Sequence, residues 1–88
     1  MLEKFKLYLI ENGYSEFTPS GNPSTAYDYM KRVEKIRSKE NITIKDLAEN
    51  ISFYTDKYGP FGIEAEFGKK SHNAFINALK RFEEFISN

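Results

Sequence analysis

The chain has 88 residues, 40% of them hydrophobic, with 13 Lys plus Arg against 13 Asp plus Glu and so a formal net charge of zero. A chain of this length buries roughly 60–65% of the surface its unfolded form exposes, which supports one modest core and excludes a two-domain enzyme. No run approaches the roughly 18 apolar residues of a membrane span, the opening MLEKFKLYLIENG mixes charge with apolar residues unlike a secretory signal, and the absence of cysteine excludes disulfides and thiolate metal sites.

Leu2, Phe5, Tyr8 and Leu9 recur at helical spacing and the run stops at Asn12-Gly13, which predicts a helix over about residues 2–12 with Gly13 as its left-handed C-terminal residue. Residues 14–23 (YSEFTPSGNP) carry turn chemistry and read as a loop. Asn22-Pro23-Ser24-Thr25 sets a capping side chain before a proline at the first helical position and opens a second helix. Its Ala26, Tyr29, Met30, Val33 and Ile36 fall on one stripe. Thr43 and Asp46 approximate a capping box for a third helix starting near Ile44, with Leu47, Ile51, Tyr54 and Tyr58 on a stripe and a break expected at Asn50-Ile51-Ser52. Residues 59–68 (GPFGIEAEFG) read as a loop rather than a short strand. Ser71 is the expected cap of the last helix, in which Phe75, Ala78, Leu79, Phe82, Phe85 and Ile86 recur at steps of three and four to about Ser87. The predicted architecture is all-α, a small bundle of four or five short helices in a single domain over residues 1–88.

Charge is polarised along the chain. Lys31, Arg32, Lys35, Arg37 and Lys39 stand against Glu34 alone, the stretch from Glu40 to Glu66 is acidic, and Lys69, Lys70, Lys80 and Arg81 return to basic, with His72 and the amides Asn73 and Asn77 beside them. Lys and Arg neutralise phosphates, and Asn side chains donate to phosphates or base edges, so the two basic segments form a candidate binding surface. Against this, short helices need solvated faces, and charged residues supply them. Lys69 and Lys70 shift the reading slightly towards a binding surface, because they are expected at a helix start, where the dipole disfavours cations.

Catalytic chemistry is thin. His72 is the only histidine, so neither a two-histidine zinc site nor an acid–base histidine pair is available. Glu64 with Glu66 and Glu83 with Glu84 read as solvated charge, and the glycines at 59, 62 and 68 form no phosphate loop. The expectation is a protein that is not an enzyme and uses no cofactor or metal. Phe75, Phe82 and Phe85 are expected in the core, whereas Phe17, Phe61 and Phe67 fall in loops, either folding back as lids or standing exposed to anchor a partner or stack on a base.

Three pieces occur in order: Ser24-Thr25 opening a helix with Tyr27 or Tyr29 and then Val33; Thr43-Ile44-Lys45-Asp46-Leu47 followed by Ile51 and Tyr54; and Lys70-Ser71-His72-Asn73 leading into Ile76-Asn77-Ala78-Leu79-Lys80-Arg81-Phe82-Glu83-Glu84-Phe85. That order resembles the N-terminal core-binding (SAM-like) domain of tyrosine recombinases, the phage integrase family. It covers about residues 22–87, leaving 1–21 as an extra helix and loop. The resemblance implies a four- to five-helix bundle whose second and last helices face duplex DNA, through Ser24, Thr25, Lys31 and Lys35 on one and Lys70, Ser71, His72, Asn73, Asn77 and Lys80 on the other, with Lys69 added from charge. The family's catalytic domain, with its Arg, His and nucleophilic Tyr, has no counterpart here, so no tyrosine of this chain takes the nucleophile role. The chain reads either as a domain of a larger protein or as a free-standing one. The expectation is a cytoplasmic, non-catalytic double-stranded-DNA binder. The alternative is a protein-binding module, a phage- or mobile-element-encoded regulator or inhibitor of a host nuclease, marked by exposed Phe17, Phe61, Phe67 and Tyr58. Dimerisation through an isologous aromatic patch is also open.

Overall fold

A computed structural model describes residues 1–22 and 24–88. Six helices follow in order: α1 (Leu2–Glu11), α2 (Thr25–Glu40), α3 (Ile44–Glu49), α4 (Ile51–Lys57), α5 (Ala65–Gly68) and α6 (Lys70–Ser87). The all-α bundle is thus as expected, with one short helix more. Among the described residues no strand forms, and no helix is long and apolar enough to cross a membrane.

The periodic segments form helices because their stripes meet in one core. Val33 and Ile36 of α2, Leu47 of α3, and Ala78, Leu79 and Phe82 of α6 are fully buried. α1 belongs to this core rather than standing beside it: Phe5 and Leu9 are also fully buried, and the Phe5 ring meets Phe82 edge-on at 5.1 Å. Edge-to-face pairs of this kind add to the area they bury. α6 runs through the centre, packed on α1, α2, α3, α4 and α5.

Several local expectations hold. Gly13 has φ +96°, Thr43 Oγ1 accepts from the Asp46 amide at 3.1 Å, and Asn50 separates α3 from α4. Others are corrected. α2 begins at Thr25 after Ser24, whose side chain makes no capping bond, and the expected role of Pro23 lies outside the described residues. The stretch read as a loop over 59–68 contains α5, because Gly68 brings its backbone against α4: a Cβ there would lie 2.0 Å from the Tyr58 carbonyl oxygen.

The largest correction concerns Ser71. It does not cap α6; Ser71, His72 and Asn73 all have positive φ (56°, 60° and 66°), a left-handed turn that separates α5 and Lys69-Lys70 from the right-handed run beginning at Ala74. Lys69 is therefore the C-cap of α5, an end at which a cation is favoured, and the helix-dipole argument for its unusual position falls away. A non-glycine residue in this region costs about 1–2 kcal/mol, Asn less than most. The double variant Ser71→Gly/His72→Gly is expected to gain about 1–2 kcal/mol after the extra entropy of glycine in the unfolded chain is subtracted. Scanning calorimetry should show Tm raised by roughly 5–10 °C.

A polar cluster ties the ends of α2 and α4 together. Lys57 Nζ donates to Glu40 Oε1 at 2.9 Å, the Tyr58 hydroxyl donates to Glu40 Oε2, and Lys39 Nζ donates to the Tyr58 oxygen at 3.3 Å while pairing with Glu64 at 3.0 Å. Burial pushes the Glu40 carboxyl up, but the Tyr58 and Lys57 hydrogen bonds and the Lys57 and Lys39 charges outweigh it and hold the group below its ordinary value. Burial, then the Glu40 bond, push Tyr58 well above its ordinary value, so it remains a donor. Because the folded-state value of Glu40 is lowered, its contribution is complete above the ordinary value of 4.5 and is lost as pH falls through the folded value. Glu40→Gln is therefore expected to cost about 2 kcal/mol at pH 7, with urea-unfolding curves of variant and parent drawing together as pH falls below the ordinary carboxyl value.

Candidate nucleic-acid interface

α2 turns its charged side towards the α5–α6 corner. Asp28, Lys31, Arg32, Lys35 and Lys39 recur at helical spacing and wall a groove of about 800 Å³, whose other side carries Phe67, Ser71 and Phe75. The aromatic side is anchored in the core: Phe75 is 8% exposed, the Phe67 and Phe75 rings lie 4.7 Å apart, and Phe67 also meets the buried Tyr58 at 5.7 Å. Two ammonium groups lie over Phe67, Lys39 at 5.1 Å and Lys70 at 4.8 Å, and the Arg32 guanidinium lies 5.8 Å from the Phe75 ring. Cation–π contacts of this type hold the long side chains at the rim without neutralising them.

The acids at this groove, of which Asp28 and Glu34 line it, each have a cation beside them. Glu34 makes a two-pronged contact with Arg37, at 2.6 and 2.9 Å, and chiefly that hydrogen bond holds its carboxyl below the ordinary value. Glu64 pairs with Lys39, and Asp28 stands 4.0 Å from Arg32. Among the described residues Lys31, Lys35 and Lys70 have no carboxylate within ion-pair distance. Among the described residues the only other Lys or Arg side chains in that position are Lys4 and Lys80. Three of the five unpaired cations thus converge on one groove although the chain as a whole is neutral.

The structure brings together part of the surface expected from sequence. Lys31, Lys35 and Ser71 line the groove and Lys70 stands at its rim; His72 and Asn73 follow in the exposed left-handed turn. Ser24 and Thr25 lie at the start of α2, about one turn before Asp28, and Lys69 is engaged by Glu66 at 3.5 Å. Asn77 is half-buried and does not line the groove. Lys80 belongs to a different hollow, with Thr55, Asp56, Gly59, Pro60, Phe61 and Ile76, which shares no residue with this one. Arg32 and Lys39 belong to the basic segment read from charge but not to the contacts that the resemblance implies; both line the groove, on the stripe 28, 32, 35, 39 along α2. Of the aromatics proposed for a protein-binding face, Tyr58 is buried and Phe67 is packed in the groove wall, while Phe17 and Phe61 are exposed. Phe53 and Ile63 are exposed as well.

Among the described residues no three His, Asp or Glu side chains cluster as a metal site. No known protein family, no characterised protein and no solved structure matches the chain.

Proposed function

We propose that this domain binds double-stranded nucleic acid, as a non-catalytic, cytoplasmic DNA-binding module of the integrase core-binding kind, with α2 and the α5–α6 corner against the phosphate backbone. The observation that carries this reading is the convergence of the unpaired Lys31, Lys35 and Lys70 on one aromatic-walled groove. Phosphates supply the missing counter-charge, and the exposed side chains of Ser71, His72 and Asn73 add hydrogen-bond donors to the same edge. With Lys80 in a separate hollow and Lys69 engaged by Glu66, three unpaired cations face the ligand.

The test is fluorescence anisotropy of a labelled random duplex at several salt concentrations. Three neutralised phosphates predict that log K falls against log salt with a slope of roughly −2.7, from a nonspecific Kd on the order of 10⁻⁴–10⁻⁶ M. A flat response, or silence at ~10⁻⁴ M in low salt, would overturn the reading. A second reading, the protein-binding regulator or nuclease inhibitor, is favoured by the exposed Phe61 and its neighbours; binding through that face would be insensitive to salt.

A further inference from the structure

On a separate face, Phe61 is 103% exposed, Ile63 90% and Phe53 62%, around a hollow of about 370 Å³ that also includes Asp56, Lys57 and Gly62. We propose that a second copy of this chain covers this face, in a two-fold symmetric dimer. The display is rigid. Gly62 lies so close to the end of α4 that a Cβ would stand 2.1 Å from the Lys57 carbonyl oxygen and 2.2 Å from that of Asp56. The Glu64 amide donates to the Lys57 carbonyl at 2.9 Å, the Gly62 amide to Gly59 at 3.0 Å and the Gly59 amide to Asp56 at 3.2 Å. A clamped loop thus holds a full phenylalanine in water, an arrangement that contributes nothing to folding and pre-organises an anchor for association.

The rim charges select the occupant. Lys57 is committed to Glu40 at 2.9 Å. Asp56 lines the hollows on both sides of Phe61 and Lys80 lines one of them, and neither has an ion-pair partner among the described residues. One unpaired acid and one unpaired cation around an apolar anchor are self-complementary under a two-fold axis, which sets each Asp56 against the Lys80 of the other copy. A chain of zero net charge adds no long-range repulsion between copies. Three side chains make an interface below the standard size, so the dimer is weak.

Sedimentation equilibrium from about 10 µM to 1 mM, a range matched to micromolar association, reads the outcome directly. The apparent mass is expected to rise from 10.3 kDa towards twice that value. Phe61→Ser and Ile63→Ser, both at exposed positions, should stay monomeric with unchanged circular dichroism. Asp56→Lys and Lys80→Asp should each weaken the dimer at least about threefold by setting like charges opposite one another, and the double exchange should restore it. A parent protein that remains monomeric at the highest concentration, or a dimer indifferent to Phe61→Ser and Ile63→Ser, overturns the proposal. The duplex titration is decided by other residues, so either result can fail without the other.

Discussion

Gly68→Ala is expected to lose about 3 kcal/mol or more, a large share of the roughly 4–13 kcal/mol available to a domain of this size. The reason is steric and local. Gly68 is buried at the end of α5, and the added methyl would lie 2.0 Å from the Tyr58 carbonyl oxygen and 3.1 Å from its carbonyl carbon. Both atoms are backbone, so no side chain can rotate to relieve the clash, and α5 must lift from α4. That movement would separate Phe67 from Tyr58 and strain the contact between Phe67 and Phe75. Thermal unfolding should show Tm lowered by roughly 10–20 °C. A Tm within a degree or two of the parent would mean that α5 does not dock against α4 in this way. Gly13→Ala is the contrast: nothing lies within 4 Å of its added Cβ, and only the positive φ is strained.

Lys31→Glu combined with Lys35→Glu is expected to weaken duplex binding by about 10- to 100-fold in low salt and to flatten the salt slope by about two. Both side chains are exposed, lie one turn apart on the same side of α2 and have no acidic partner among the described residues, so the fold should not change. Reversal turns the groove wall from attractive to repulsive for phosphate. Lys4→Glu supplies the control, because Lys4 is also exposed and unpaired but sits on α1, outside the groove; its effect should stay within about twofold. Equal losses in the two variants would indicate a response to net charge rather than a defined surface.

Much of the fold is readable from the sequence because α1, α2 and α6 are long enough for their apolar stripes to repeat. The short boundaries at Gly13, Thr43 and Asn50 are readable for a different reason, since each depends on the chemistry of one residue. α5 is not readable: four residues give no period, and the closeness that makes Gly68 necessary exists only once α4 and α5 are packed. The left-handed turn is hidden for the opposite reason. Ser71, His72 and Asn73 look like an ordinary helix entry, and three successive left-handed conformations run against the local preference of these residue types. The candidate surface inherits both effects. Lys31 and Lys35 emerge from charge along one helix, but the pairing of their wall with Phe67 and Phe75, the separation of Lys80 and the exposure of Phe53 and Ile63 depend on how the helices meet.

The most direct test of the nucleic-acid reading is a titration of ¹⁵N-labelled protein with an unlabelled duplex, followed by amide chemical shifts. The groove reading predicts that the largest changes fall on Lys31, Lys35, Lys70, Ser71 and His72 and shrink as salt is raised. Changes centred on Phe53, Phe61 and Ile63, or none at a saturating duplex concentration, would contradict it.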